Sequence, residues 1–194
     1  MKIALFAAVP DEVGSLADLV NFTGIGRENA TCAMIRFMNR HADEDFIMLN
    51  IGTVGSYDMP VGTILSIREV LSGSSSLYSK KMLPDHFDVQ ADASVRKATL
   101  YSSDSFVSTT VFTESYLDDV KSKVDCFDME SSVLMAFAHE NGKKFVSYKI
   151  VSDNLDVSLE VWKQKVHELS NALVLHIQQV LKELEQNGKI EFLK

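Results

Sequence analysis

Phe145-Val146-Ser147-Tyr148-Lys149-Ile150-Val151 is an apolar, β-branched run closed by Ser152-Asp153, and its reading decides the fold. A short run of this kind reads as a strand buried on both faces. On its N-terminal side, residues 129–140 carry a helical period. On its C-terminal side, Leu159, Trp162, Val166, Leu169, Leu173, Ile177, Val180 and Leu184 recur at threes and fours, which is one apolar stripe along a helix over 159–184. Gly188 then serves as a stop signal. Further upstream the same alternation repeats, with strands expected at 3–9, 46–50, 63–71 and 98–107 and helices at 13–20 and 30–41. Alternation of this kind predicts an α/β fold, a three-layer α/β/α sandwich around a mixed, mostly parallel central sheet.

The bulk numbers fit that frame. A chain of 194 residues with 46% hydrophobic and 24% charged residues is expected to form one domain over 1–194 with a full core. A net charge of -8, with no basic run longer than a pair such as Lys80-Lys81, argues against nucleic acid as a partner, because phosphate-backbone affinity comes from clustered cations. Cys32 and Cys126 form no disulfide framework and no CxxC motif, so a reduced compartment is expected. The apolar opening 1–9 runs straight into Pro10-Asp11-Glu12 and reads as a buried strand, not a signal peptide. No apolar run approaches the ~20 residues that cross a bilayer. A soluble, cytoplasmic protein with no membrane partner is expected.

In doubly wound sheets, ligands sit beyond the carboxyl ends of the strands. The residues standing there are Glu12, the turn 52–56, residues 104–107 and Ser152-Asp153. Taken singly, each has an ordinary reading: Glu12 complements a helix dipole, and Ser152 or Asp153 caps a helix. The turns Thr23-Gly24-Ile25-Gly26 and Asn50-Ile51-Gly52-Thr53-Val54-Gly55-Ser56 let backbone approach a ligand closely, yet neither matches a dinucleotide or triphosphate motif. Residues 71–88, Ser- and Gly-rich, read as a long loop able to cover a site. The five histidines form no HxxxH or HExxH spacing, so no metal is expected. Trp162 reads as core.

Glu12, Glu130 and Asp153 together suggest a chemistry. Breaking a sugar–purine bond develops positive charge on the sugar and negative charge on the base, so it calls for one protonated acid, one ionised base and a grip on the ribose. Asp153 would have to be protonated near neutral pH, which needs burial, while Glu12 stays ionised.

In matching order, residues 2–13, 23–26, 50–56, 103–107, 127–132 and 149–153 resemble the 5'-methylthioadenosine/S-adenosylhomocysteine nucleosidases, of the purine nucleoside phosphorylase and uridine phosphorylase superfamily. The resemblance runs from residue 1 to about residue 184. It implies a nucleoside phosphorylase-like fold, no cofactor, a small-molecule nucleoside substrate and a homodimer. By position it makes Glu12 the base that activates water and Asp153 the acid that protonates N7 of the purine. Glu130 would hold the ribose hydroxyls with Met129 against the sugar, Phe106 would stack on adenine and Val107 would read its edge. Ser152 would orient Asp153, and Thr53 and Ile25 would line the ribose and 5' regions. Asp128 joins the substrate-binding set, standing where the family has Glu. Lys149 stands where it has Arg and Thr53 where it has Ser. An aromatic near Trp162 covers the 5' pocket in the relatives. The implied reaction releases adenine from 5'-methylthioadenosine, S-adenosylhomocysteine or 6-amino-6-deoxyfutalosine, in methionine salvage or menaquinone biosynthesis. A phosphorylase of the same fold, or a non-catalytic nucleoside-binding module, are the alternatives.

Overall fold

β1 (Lys2–Ala7) is buried between two apolar layers, and its alternating side chains show why. Ile3, Leu5 and Ala7 pack with Leu173, Val174, Ile177 and Leu181, while Ala4 and Phe6 pack with Met34, Phe37, Val133 and Leu134 on the opposite face. The first set faces helix α3 (Leu159–Gln186), and the second faces α1 (Arg27–His41) and α2 (Ser131–Glu140). A sheet between two helical layers results, as the alternation predicts. This computed structural model describes residues 1–73, 86–89, 91–109, 118, 120–186 and 188–194.

Among the described residues the sheet has nine strands. After β1 come β2 (Val20–Phe22), β3 (Ile47–Gly55), β4 (Ile64–Gly73), β5 (His86–Asp88), β6 (Arg96–Ser103), β7 (Cys126–Asp128), β8 (Lys144–Asp153) and β9 (Glu191–Phe192). Six pairings are parallel and three antiparallel, so the sheet is mixed and mostly parallel. β1 pairs with β2, β3 and β9. From β3 the pairings run through β8, β4, β6 and β7 and return to β3 by the single pair Gly55 with Phe127. All five strands of this ring contribute to one buried cluster, with Val54, Ile67, Leu100, Cys126 and Val151 among its members.

Several boundaries differ from the sequence reading. Residues 13–20 form no α-helix: 3-10 turns cover Pro10–Glu12 and Gly14–Leu19, and Val20 already pairs with Leu5. The Asn21 amide fastens this short strand by donating to Leu5 O at 3.2 Å and Leu193 O at 2.8 Å. β6 stops at Ser103 instead of reaching 107, and β3 continues to Gly55. The expected loop over 71–88 is entered from β4, which runs to Gly73, and left through β5, which pairs back onto β4. Its expected covering role falls on residues 74–85, outside the described residues.

Candidate active site

The strand ends place the carboxylates. Beyond β1, the Pro10–Glu12 turn folds the chain back so that Glu12 Oε2 accepts the amides of Ala8 at 3.1 Å and Val9 at 3.4 Å. Glu12 Oε1 accepts both the amide and the hydroxyl of Thr53, each at 2.8 Å. Four donors around a side chain that is 4% exposed fix a carboxylate in place. Gly52 makes the approach possible: its φ is +154°, and a Cβ there would stand 2.9 Å from Glu12 Oε1. Thr53 Oγ1 in turn accepts the indole N–H of Trp162 at 3.1 Å.

A second carboxylate stands where β7 passes into α2. Glu130 is the N-cap residue of α2, and its Oε1 accepts the amide of Gly26 at 2.6 Å. Burial first, then the neighbouring Asp128 and Glu12, push the Glu130 carboxyl up to about 8 against the pull of the Gly26 amide and Lys149. Asp128 lies behind it, bonded to the Ser131 amide and hydroxyl and paired with Lys149 Nζ at 3.0 Å. Burial pulls the Lys149 ammonium down, but Asp128, Glu12 and Glu130 outweigh it and hold the group above its usual value. Lys149 is therefore a buried cation paired with Asp128 and drawn on by the two other carboxyl groups nearby. The polar web extends inward: the Ser131 and Ser147 hydroxyls both reach Asn50 Oδ1 at 3.2 Å.

Asp153 ends β8. Its Oδ1 accepts the Leu155 amide at 3.0 Å, and its Oδ2 lies 2.7 Å from the Ser152 hydroxyl. Burial raises its carboxyl, with these two bonds opposing and Asp156 assisting. Ser152 Oγ also lies 3.2 Å from Val54 O, so it has a choice of acceptor. Donating to Asp153 serves the ionised acid; donating to Val54 lets Ser152 accept a proton-bearing Asp153. The turn that follows is strained: Leu155, fully buried, has φ +64°. The Asn154 amide holds it by bonding Ser56 O at 2.9 Å and Met59 O at 3.0 Å.

These strand ends enclose one cleft of about 530 Å³, open mouth included. Glu12, Ile25, Thr53, Phe106, Val107, Asp128, Met129, Glu130, Ser152 and Asp153 all line it. So do Leu155 and Leu159, which the sequence reading leaves out of the site, and Trp162, which it reads as core with an aromatic near it over the 5' pocket in the relatives. Among the described residues, no Lys, Arg or His lines the cleft. Nor do they include a group of three His, Cys, Asp or Glu side chains arranged to hold a metal ion.

Residues 19–184 match the sequence profile of the phosphorylase superfamily. The chain belongs to that superfamily. No curated protein sequence matches it. Among solved structures, the 5'-methylthioadenosine/S-adenosylhomocysteine nucleosidase of Neisseria meningitidis superposes with a TM-score of 0.76 at 16% identity, over 94% of this chain and 99% of that one. The S-adenosylhomocysteine nucleosidase of Streptococcus pyogenes gives 0.77 at 16% identity, over 95% and 97%. The futalosine hydrolase of Helicobacter pylori gives 0.78 at 13% identity, over 94% and 98%. At such identities the likeness is one of fold.

Within this superfamily fold, the cleft offers a fixed carboxylate, a raised carboxyl that can donate a proton, and a second raised carboxyl set at a helix start. The sequence pattern reads Trp162 as core, and only the family resemblance puts an aromatic near it over the 5' pocket. Its place on the apolar stripe of α3 is indistinguishable from that of a core residue, and only tertiary contact brings its indole to Thr53. Leu155 carried no local signal, because positive φ at a leucine is imposed by its surroundings.

Proposed function

We propose that this protein hydrolyses the N-glycosidic bond of 5'-substituted adenosines and releases adenine, with 5'-methylthioadenosine, S-adenosylhomocysteine and 6-amino-6-deoxyfutalosine as the substrate class. The observation that carries the reading is the convergence of Glu12, Glu130 and Asp153 on one cleft, where burial raises the Asp153 carboxyl and four donors hold Glu12. On this reading Asp153 gives its proton to N7 as the C1'–N9 bond breaks, and Ser152 turns its hydroxyl to meet the carboxylate left behind. Glu130 accepts the ribose hydroxyls, with Met129 beside the sugar. Phe106 stacks on the purine, and the backbone at Val107 meets its edge. Glu12 takes the proton of the attacking water through Oε2, the oxygen with the looser partners, at 3.1 and 3.4 Å. Proton transfers of this kind contribute roughly 10²- to 10⁴-fold each.

Water is favoured over phosphate as the nucleophile because the described lining of the cleft carries carboxylates and no cation. The test is adenine release from each of the three nucleosides, with and without phosphate. Free ribosyl product in phosphate-free buffer is the expected result, and the kcat/KM ratios rank the substrates. Strict dependence on phosphate would make the protein a phosphorylase; no release from any of them would remove the assignment.

A further inference from the structure

Trp162, the single tryptophan of the chain, sits on the first turn of α3 with 8% of its surface exposed and one face on the cleft. Its indole nitrogen lies 3.1 Å from Thr53 Oγ1, which lies 2.8 Å from Glu12 Oε1. An indole N–H can only donate, and a hydroxyl has one proton. With one of its lone pairs taken up by Trp162, the Thr53 hydroxyl has its proton directed at Glu12. The donation runs one way, from helix to strand to carboxylate.

We propose that Trp162 is a positioning residue for Glu12: by fixing the rotor of Thr53 it holds Oε1, so that Oε2 faces the cleft in one orientation. The Thr53 amide alone leaves the carboxylate free to pivot about a single bond on that side. The same contact makes the alignment of Glu12 depend on the docking of the first turn of α3, which also carries Leu159 to the cleft. This inference rests on the hydrolytic reading, in which Glu12 activates water, and assigns a residue whose ring need not touch the reacting atoms.

Trp162→Phe keeps an aromatic ring and removes the donor. Expected is a fall in kcat of about tenfold with KM held within about twofold, the size of one lost hydrogen bond to a charged network. Thr53→Val should cost at least as much, and the double variant should be no worse than Thr53→Val alone, because the relay is already broken there. Additive losses, or a change confined to KM, would mean that Trp162 only packs. One tryptophan also gives one indole N–H resonance, which reads the contact without turnover: it should move upfield in Thr53→Val relative to wild type. An unmoved resonance overturns the relay. Wild-type protein inactive on every nucleoside would overturn the hydrolytic reading and the relay's purpose with it, whereas active wild type with unimpaired Trp162→Phe would overturn this inference alone.

Discussion

Asp153 and Glu130 are both raised above their ordinary values, but what each must do with its proton differs. For Asp153, burial is the leading cause, so the fold disfavours the ionised form. An asparagine meets the same partners: its carbonyl accepts from Leu155 N, and its amide donates to Ser152 Oγ, whose own proton turns to Val54 O. Asp153→Asn is therefore expected to lower kcat by at least about 10²-fold with no loss of thermal stability. A raised carboxyl makes the wild type lose stability as pH rises from the ordinary value, and asparagine is free of that loss. The melting-temperature difference should thus favour the variant more at alkaline than at mildly acidic pH. A variant less stable at every pH would contradict the burial argument. Glu130, pushed up to about 8 from an ordinary 4.5, favours its protonated form at neutral pH and costs stability as pH climbs between those values. A cis-diol that donates to it needs the ionised form. Ligand binding near neutrality should release a proton and tighten as pH rises, and calorimetry in buffers of different ionisation heat reads both. Glu12 and Asp153 were legible in the sequence because each follows an apolar run, whereas Glu130, behind a strand of three residues, was legible through the family resemblance of residues 127–132. Their electrostatics were not, since Lys149 lies 21 positions from Asp128 and its pairing depends on β8 lying within the same sheet.

At the scale of elements, what could be read depended on whether a segment's own pattern sets its structure. β1, β3, β8 and the long α3 announce themselves, as strands buried on both faces or as a helix with a continuous stripe. β2, β7 and β9, of three, three and two residues, do not, because neighbouring strands define their length. Residues 13–20 carried enough apolar spacing to suggest a helix, but Gly14 at φ +45° and the early pairing of Val20 left room only for 3-10 turns. The close approach of β3 to Glu12 has a direct test. In Gly52→Ala the new methyl would lie 2.9 Å from Glu12 Oε1, so the carboxylate must shift against its bonds to Thr53 while the sheet stays. Activity should fall at least about tenfold. Backbone strain near 1 kcal/mol together with weakened bonds from Thr53, about 1.5 to 3 kcal/mol, should lower the melting temperature by roughly ten degrees and leave the protein folded. Equal damage to folding and catalysis would show that the strand, not the carboxylate, had yielded.

At the scale of the whole molecule, α3 joins core and cleft. Its first turn carries Trp162 to Thr53, while its later turns bury Leu173 completely against β1. Leu173→Ala should destabilise the protein by about 2 to 5 kcal/mol in chemical denaturation. It should leave kcat/KM unchanged where the variant is folded; a loss of turnover there would mean that strain travels the length of the helix. The ring of strands has its own asymmetry. Its ladders run to nine pairs between β3 and β8 and eight between β4 and β6, and to three each between β4 and β8 and between β6 and β7, whereas β3 and β7 meet at Gly55 and Phe127 alone. A hoop fastened by one clasp gives way at the clasp, and this one sits beside Glu130 and Thr53. On the proposed reading a nucleoside spanning those two residues would work as a staple across the join, so its addition should slow amide exchange at Phe127 far more than in the longer ladders.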